Sequence, residues 1–273
     1  MDLGLKGKRI LVTGASGGIG RAISKLLIEE GAIVIAHYNS NINGAKELVN
    51  FATTIADKEP LLVQADLKNE DDIIGMFRTI EETLDGMDGL VNNAGIWPPN
   101  DTPITDMKLA QWENTLRTNL TSIFLCTREF LRLLKRSPVH DPAIVLIGST
   151  AGIFGEAGHI DYSSSKAALW GFMLSIKNEI VRISEHGRIN LVSPGWVKTP
   201  MAEDGLKDET SVTKVLQTTA LRKIATPKDI AYPVVSLLSS RVSGHISGQN
   251  IAVTGGMEGR LLFFPHEVDP SKA

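Results

Sequence analysis

Tyr162 and Lys166 stand four residues apart in the run YSSSKAALWGF. In a helix that spacing puts both side chains on one face. A phenol beside an ammonium group can move a proton to or from an oxygen atom. Free tyrosine has a pKa of about 10, too high for an efficient base at neutral pH. A nearby cation favours the phenolate, and a lowering of about three units corresponds to roughly 4 kcal/mol. Lys166 is the expected source of that charge, although the spacing also arises by accident on surface helices. Ser149 follows the apolar run Ile144–Ile147 and is expected to end a strand. A hydroxyl at such an edge can hydrogen-bond a substrate oxygen and stabilise developing negative charge; it can equally be the first residue of a loop. Asn119 falls in a long helical pattern from Trp112 to Leu134. Buried, it must find partners; exposed, it is simply solvated.

A second constellation is TGASGGIG, Thr13 to Gly20. Gly14, Gly18 and Gly20 lack Cβ atoms, so the backbone can turn sharply and approach a pyrophosphate. The N–H groups and dipole of a following helix would hold the anion, and Ser16 adds a hydroxyl donor. The spacing is G-x-x-x-G-x-G, not the common G-x-G-x-x-G.

These residues need a scaffold, and the chain supplies a regular one. Short runs rich in β-branched residues and leucine recur at Arg9–Val12, Ile33–Ala36, Leu61–Gln64, Gly89–Val91, Ile144–Ile147, Ile189–Val192 and Asn250–Val253. Between them lie segments with apolar spacings of three and four, such as Ile19, Ile23, Leu26 and Leu27. The alternation predicts a single α/β domain over residues 1–273, a Rossmann-type doubly wound parallel sheet of about seven strands with helices on both faces. Two stretches break the rhythm. Ala202–Thr219 is rich in charge and threonine, and is either a substrate lid around 200–220 or a surface insertion. After Gly256, Leu261, Leu262, Phe263 and Phe264 carry more apolar surface than a free tail exposes, so docking onto this subunit or a neighbour is expected.

Composition narrows the partners. The formal charge of -3 has no basic excess and gives no sign of nucleic-acid binding. The single cysteine, Cys126, excludes an internal disulfide and a cysteine-built metal site, and its apolar neighbours predict a buried small hydrophobe. No metal is expected. No apolar window has the length of a membrane span or a signal peptide, which predicts a cytoplasmic protein.

The glycine loop resembles the TGxxxGxG loop of the short-chain dehydrogenase/reductase family, in its compact single-domain branch. Further motifs of that family follow in order over nearly the whole chain. Asp66, followed by Leu67, matches the acid that bonds the adenine amino group, and Asn92-Asn93-Ala94-Gly95 matches the NNAG run beside the adenosine. Asn119, Ser149, Tyr162 and Lys166 match the catalytic four, with Asn119 implied to anchor a water leading to Lys166. Pro194-Gly195, with Val197 and Thr199, matches the loop that holds the nicotinamide carboxamide. Gly14, Ser16, Gly17, Gly18, Ile19 and Gly20 become expected cofactor contacts, as do Tyr162 and Lys166 themselves. The resemblance implies hydride transfer between a nicotinamide and a ketone or secondary alcohol, in a homo-oligomer, usually a tetramer.

Cofactor choice turns on the end of the second strand. An NAD enzyme normally places a carboxylate there for the ribose 2′-hydroxyl. Here the position is Tyr38, followed by Asn39 and Ser40, and no carboxylate occurs between Glu30 and Glu47. Asn39 and Ser40 can bond a 2′-phosphate, so NADP is favoured. NAD stays open, because the arginine that many NADP-dependent relatives carry in the loop is Gly17 here. Trp97, Phe154, His159, Trp196 and Met201 are candidate pocket residues by position, or ordinary loop packing. His159 is an auxiliary donor or a solvated loop residue. An epimerase would share the Tyr–Lys pair but is generally longer, and a non-catalytic nucleotide-binding scaffold typically loses one of the pair.

Overall fold

The computed structural model describes residues 2–55 and 58–272. Seven strands form one sheet: β1 (Arg9–Val12), β2 (Ile33–Tyr38), β3 (Leu61–Gln64), β4 (Gly89–Asn92), β5 (Ala143–Ile147), β6 (Arg188–Pro194) and β7 (Asn250–Val253). Their order is β3-β2-β1-β4-β5-β6-β7, and every pairing is parallel. Strands buried on both faces read as continuous apolar runs, as residues 10–12 of β1 and AIVLI of β5 do. Several ends differ from the expectation: β2 runs on to Tyr38, and β6 gains Arg188 and Ser193-Pro194. Ladder bonds to neighbouring strands extend a strand beyond its β-branched centre.

Alternate residues feed two cores. Leu11, Ile35 and Leu90 point to one face, covered by α3 (Glu70–Leu84), α5 (Ser122–Arg136) and α7 (Ile160–Ile180). Ile10, Val12, Val34 and Val91 point to the other, covered by α1 (Gly18–Glu29), α2 (Ile42–Ala52) and α10 (Pro227–Leu238). Cys126 lies in the first core, as expected. Local signals set the helix starts: Asn69 caps α3 ahead of Glu70, Asp71 and Asp72, and Thr226 and Asp229 form a capping box on α10.

The expected helix from Trp112 to Leu134 has an internal break. α4 (Leu109–Leu116) passes into α5 through one π-helical turn, Arg117–Thr121. Two short helices beyond β5 and β6 complete the frame, α6 (Ala151–Phe154) and α8 (Glu203–Lys207), with α9 (Glu209–Thr218) following α8 and α11 (Ser240–Ser243) following α10. Val212, Leu216, Ile224 and Val268 form a third small core, against which Trp196, Leu206 and Phe263 pack. Gln217 holds the tail, accepting from Leu262 N–H at 2.8 Å and donating through Nε2 to the Phe263 carbonyl at 3.1 Å. The tail thus contacts this subunit's own 203–218 segment, one of the two docking expectations. Among the described residues no helix is long and apolar enough to cross a membrane.

Candidate active site

The residues singled out above gather at the carboxyl ends of the central strands. Gly14 leaves β1 with φ +65° and Gly18 opens α1 with φ +51°, a region that favours glycine. A Cβ on Gly20 would stand 2.2 Å from the Gly14 carbonyl oxygen, so only glycine lets α1 close onto the loop. Around Gly17 nothing stands within 4 Å of a Cβ position, and Gly18 faces Thr199, which brings the β6 loop beside the glycine loop. The combination of bare glycines, an open face and a helix start fits a dinucleotide pyrophosphate.

The loop is braced from several sides. Asn93 donates through Nδ2 to the carbonyls of Thr13 at 2.9 Å and Gly14 at 3.3 Å. Thr13 Oγ1 accepts from Asn93 N–H at 2.9 Å and Ala94 N–H at 3.0 Å. Asn41 caps α2 and donates to the Ser16 carbonyl at 3.1 Å, while a Cβ on Gly44 would stand 2.1 Å from that same oxygen. Sequence reasoning missed Asn41 and Gly44; an Asn-x-x-Gly at a helix start is the signal that could have found them. Asp66 is half-buried past β3 and accepts from Lys68 N–H at 3.0 Å, beside buried Leu67. Tyr38 is half-buried, with Asn39 and Ser40 exposed after it. Ile19 packs on the second core, Gly195 N–H donates to the Val253 carbonyl at 3.1 Å, and buried Val197 pairs with Ala225.

Asn119 lies in the π turn and is fully buried. Single π turns recur at functional sites, because they aim a side chain that a regular helix would place elsewhere. Its Oδ1 accepts from Ile96 N–H at 2.8 Å, and its Nδ2 donates to the Ile96 carbonyl at 2.9 Å and towards Ser165 Oγ at 3.3 Å. Lys166 Nζ donates to the Ile147 carbonyl at 2.9 Å. A Cβ on Gly95 would lie 3.1 Å from Asn119 Oδ1 and 3.5 Å from Lys166 Nζ, so this glycine keeps open the space between them.

Ser149 stands two residues beyond the end of β5, in the loop rather than on the strand, where its Oγ accepts from Ala151 N–H at 3.1 Å. Burial pushes the Tyr162 phenol up from its ordinary value, and a hydrogen bond with the Ser149 side chain opposes this. Burial takes Lys166 down to about 8. The expected lowering of the tyrosine by Lys166 is therefore not the state of the free chain. The ammonium is 5.7 Å from the phenol ring centre and bonded to a carbonyl, and the loss of water around both groups outweighs their attraction.

Beside this group, the Trp97 ring meets Tyr162 edge-on at 4.7 Å and His159 at 3.9 Å. His159 is 2% exposed, which corrects its reading as a solvated loop residue; the aromatic stack covers it. Trp196 packs away from this group, on the 203–218 segment, against Gly205 and the third core. Phe154 and Met201 are exposed, with Phe154 near Gly259. Of the five pocket candidates, the structure gathers Trp97 and His159 at Tyr162.

A family model described as enoyl-(acyl carrier protein) reductase matches residues 14–258. The chain is 35% identical to the 3-oxoacyl-(acyl-carrier-protein) reductase of Vibrio cholerae over 255 residues, 93% of this chain and 99% of that protein. It is 34% identical to nodulation protein G of Rhizobium sp. strain N33, over 93% of this chain and 98% of that one. A solved short-chain dehydrogenase/reductase of Brucella melitensis, titled a glucose/ribitol dehydrogenase, superposes with a TM-score of 0.83 at 29% identity, covering 94% and 99% of the two chains. The chain belongs to the short-chain dehydrogenase/reductase family. As a short-chain dehydrogenase/reductase it is an enzyme, an oxidoreductase of CH–OH and ketone groups. The matched span reaches from the glycine loop to just past β7.

Proposed function

We propose that this enzyme reduces a ketone to a secondary alcohol, or the reverse, with Tyr162 as the proton donor and acceptor. The observation that carries the reading is the Tyr162 hydroxyl, kept protonated by burial and hydrogen-bonded with Ser149, at the strand edge that also bears the glycine loop. A bound nicotinamide dinucleotide supplies or takes up the hydride. Ser149 orients the substrate oxygen and shares its developing charge. Tyr162 donates its hydroxyl proton to that oxygen during reduction and takes it back during oxidation. Lys166, lowered to about 8, sits where it can exchange a proton near neutrality. A water held beside Gly95 between Asn119 and Lys166 would return the proton from solvent.

Gly14, Ser16, Gly17, Gly18, Ile19 and Gly20 would hold the pyrophosphate, and Asp66, Leu67, Asn93, Ala94 and Gly95 the adenosine side. Pro194, Gly195, Val197 and Thr199 would hold the carboxamide side. NADP is favoured over NAD because Tyr38, Asn39 and Ser40 place no carboxylate against a 2′-phosphate. Helices α8 and α9 act as the substrate lid, and Trp97 gives the pocket an apolar wall suited to an oxoacyl chain or a cyclic carbonyl. The homo-oligomer belongs to the same reading, since Phe124 on α5 and Trp170 on α7 are left exposed.

Titrating the protein with NADPH and then NADH, followed by nicotinamide fluorescence, tests the reading. Tighter NADPH binding supports both parts. Tighter NADH binding overturns the NADP preference alone. Failure of both to bind the folded protein overturns the hydride-transfer assignment.

A further inference from the structure

His37 occupies the next-to-last position of β2 and is 2% exposed. It holds the glycine loop twice. Its backbone carbonyl accepts from Ala15 N–H at 2.9 Å, and its ring Nδ1 accepts from Gly14 N–H at 3.0 Å. On the other side its Nε2 lies 3.1 Å from the carbonyl of Ala65, the residue before Asp66. A carbonyl can only accept, so the proton of the neutral ring is on Nε2 and Nδ1 is left as the acceptor. One imidazole thus ties the expected pyrophosphate loop to the expected adenine end of the site.

The bond to Gly14 is not replaceable locally. Gly14 sits in the left-handed region and is half-buried, and a donor shielded from water without a partner is costly. A proton on Nδ1 would set two donors against each other at 3.0 Å. Either the ring or the loop must then move.

We propose that His37 is a positioning residue of the cofactor site: its neutral imidazole holds Gly14 in the loop shape that receives a dinucleotide, and its protonation releases that loop. The proposal rests on the reading of TGASGGIG as a dinucleotide loop. Burial lowers the imidazole from its ordinary value, while the Ala65 carbonyl and the Asp66 charge act to raise it. Asp66 lies past β3, and Asp72 at the head of α3 accepts from Asp66 N–H at 3.0 Å. The loop from Thr13 to Gly20 has no titratable side chain; Arg21 behind it is paired with Glu47 of α2 at 2.6 Å, and Tyr38 follows on the strand. The neutral ring is therefore the folded form at neutral pH, and acid is the direction that disturbs it.

NADP+ binding by the full chain, measured by calorimetry, tests this. At about pH 8, His37→Leu removes the acceptor and is expected to weaken binding about tenfold, whereas His37→Asn, which still accepts from Gly14, stays within about threefold of wild type. The phosphate of NADP+ itself titrates in acid, so the ratio of wild-type to His37→Asn dissociation constants is read. That ratio is expected to rise at least about threefold between about pH 8 and 5.5. A flat ratio overturns the release on protonation, and a leucine variant that folds and binds as wild type does overturns the positioning role. If the leucine variant does not fold, the wild-type imidazole decides. By reciprocity NADP+ must lower the pH midpoint of the His37 NMR signal, assigned by its loss in His37→Asn. An unchanged or raised midpoint overturns the proposal. A folded wild-type chain that binds no NADP+ at any pH overturns the dinucleotide reading instead.

Discussion

At the scale of single residues, the site is a set of groups whose burial shifts each of them towards its uncharged form. Tyr162→Phe keeps the ring against Trp97 and removes only the hydroxyl. Turnover is expected to fall about a thousandfold, with dinucleotide affinity within about threefold, read by steady-state kinetics and fluorescence titration. Lys166 also leaves a mark on stability. Because it is lowered from 10.5 to about 8, the unfolded chain holds its proton more tightly than the folded one. Its contribution is complete above its unfolded value and is lost as pH falls towards 8, about 3 kcal/mol in all. Urea midpoints should therefore rise between pH 8 and about 10, and Lys166→Met should flatten that rise. The tyrosine, lysine and loop glycines are legible in the sequence because few other residue types can do what they do. The charge state of the pair is not, since it depends on how much water the fold removes. Nor is His37, whose partners come from two other segments of the chain.

At the scale of elements, positions follow from where helices and strands end. The seven strands are readable from their apolar runs, with errors at the ends where ladder bonds decide. The π turn is not readable, because one extra residue in a helical turn barely alters the apolar spacing on either side. The packing of α2 on the loop is also invisible, although it is tight. Gly44→Ala would set a Cβ 2.1 Å from the Ser16 carbonyl, so α2 must retreat. A loss of about 2 kcal/mol and a dinucleotide affinity weaker by about tenfold are expected, from denaturation and titration. Gly17 is the opposite case. Its backbone is extended at φ -158° and its surroundings are open, so an arginine fits. Gly17→Arg is expected to tighten NADP+ binding about tenfold and to leave NAD+ unchanged, which paired titrations would read.

At the scale of the whole molecule, fold class follows from the alternation of strand and helix, while the docking of the tail depends on a tertiary contact. Phe263 packs on the third core with its carbonyl held by Gln217. Phe263→Ala is expected to speed limited proteolysis within 203–218 at least about threefold, with the rate elsewhere unchanged. If cleavage there is no faster, the tail does not steady that segment. The sheet order has a further consequence, for the chain as it is being made. β4 inserts beside β1 although β2 and β3 lie between them in the chain, and the loop after β6 is anchored through Gly195 to Val253. A parallel sheet offers no hairpin from which to start, so its pairings close slowly and over long loops. During synthesis β1 emerges with its neighbours β2 and β4 still unmade, and β6 gains its outer partner only when β7 leaves the ribosome. A nascent chain halted before Asn250 should carry every candidate catalytic side chain and still lack a finished site.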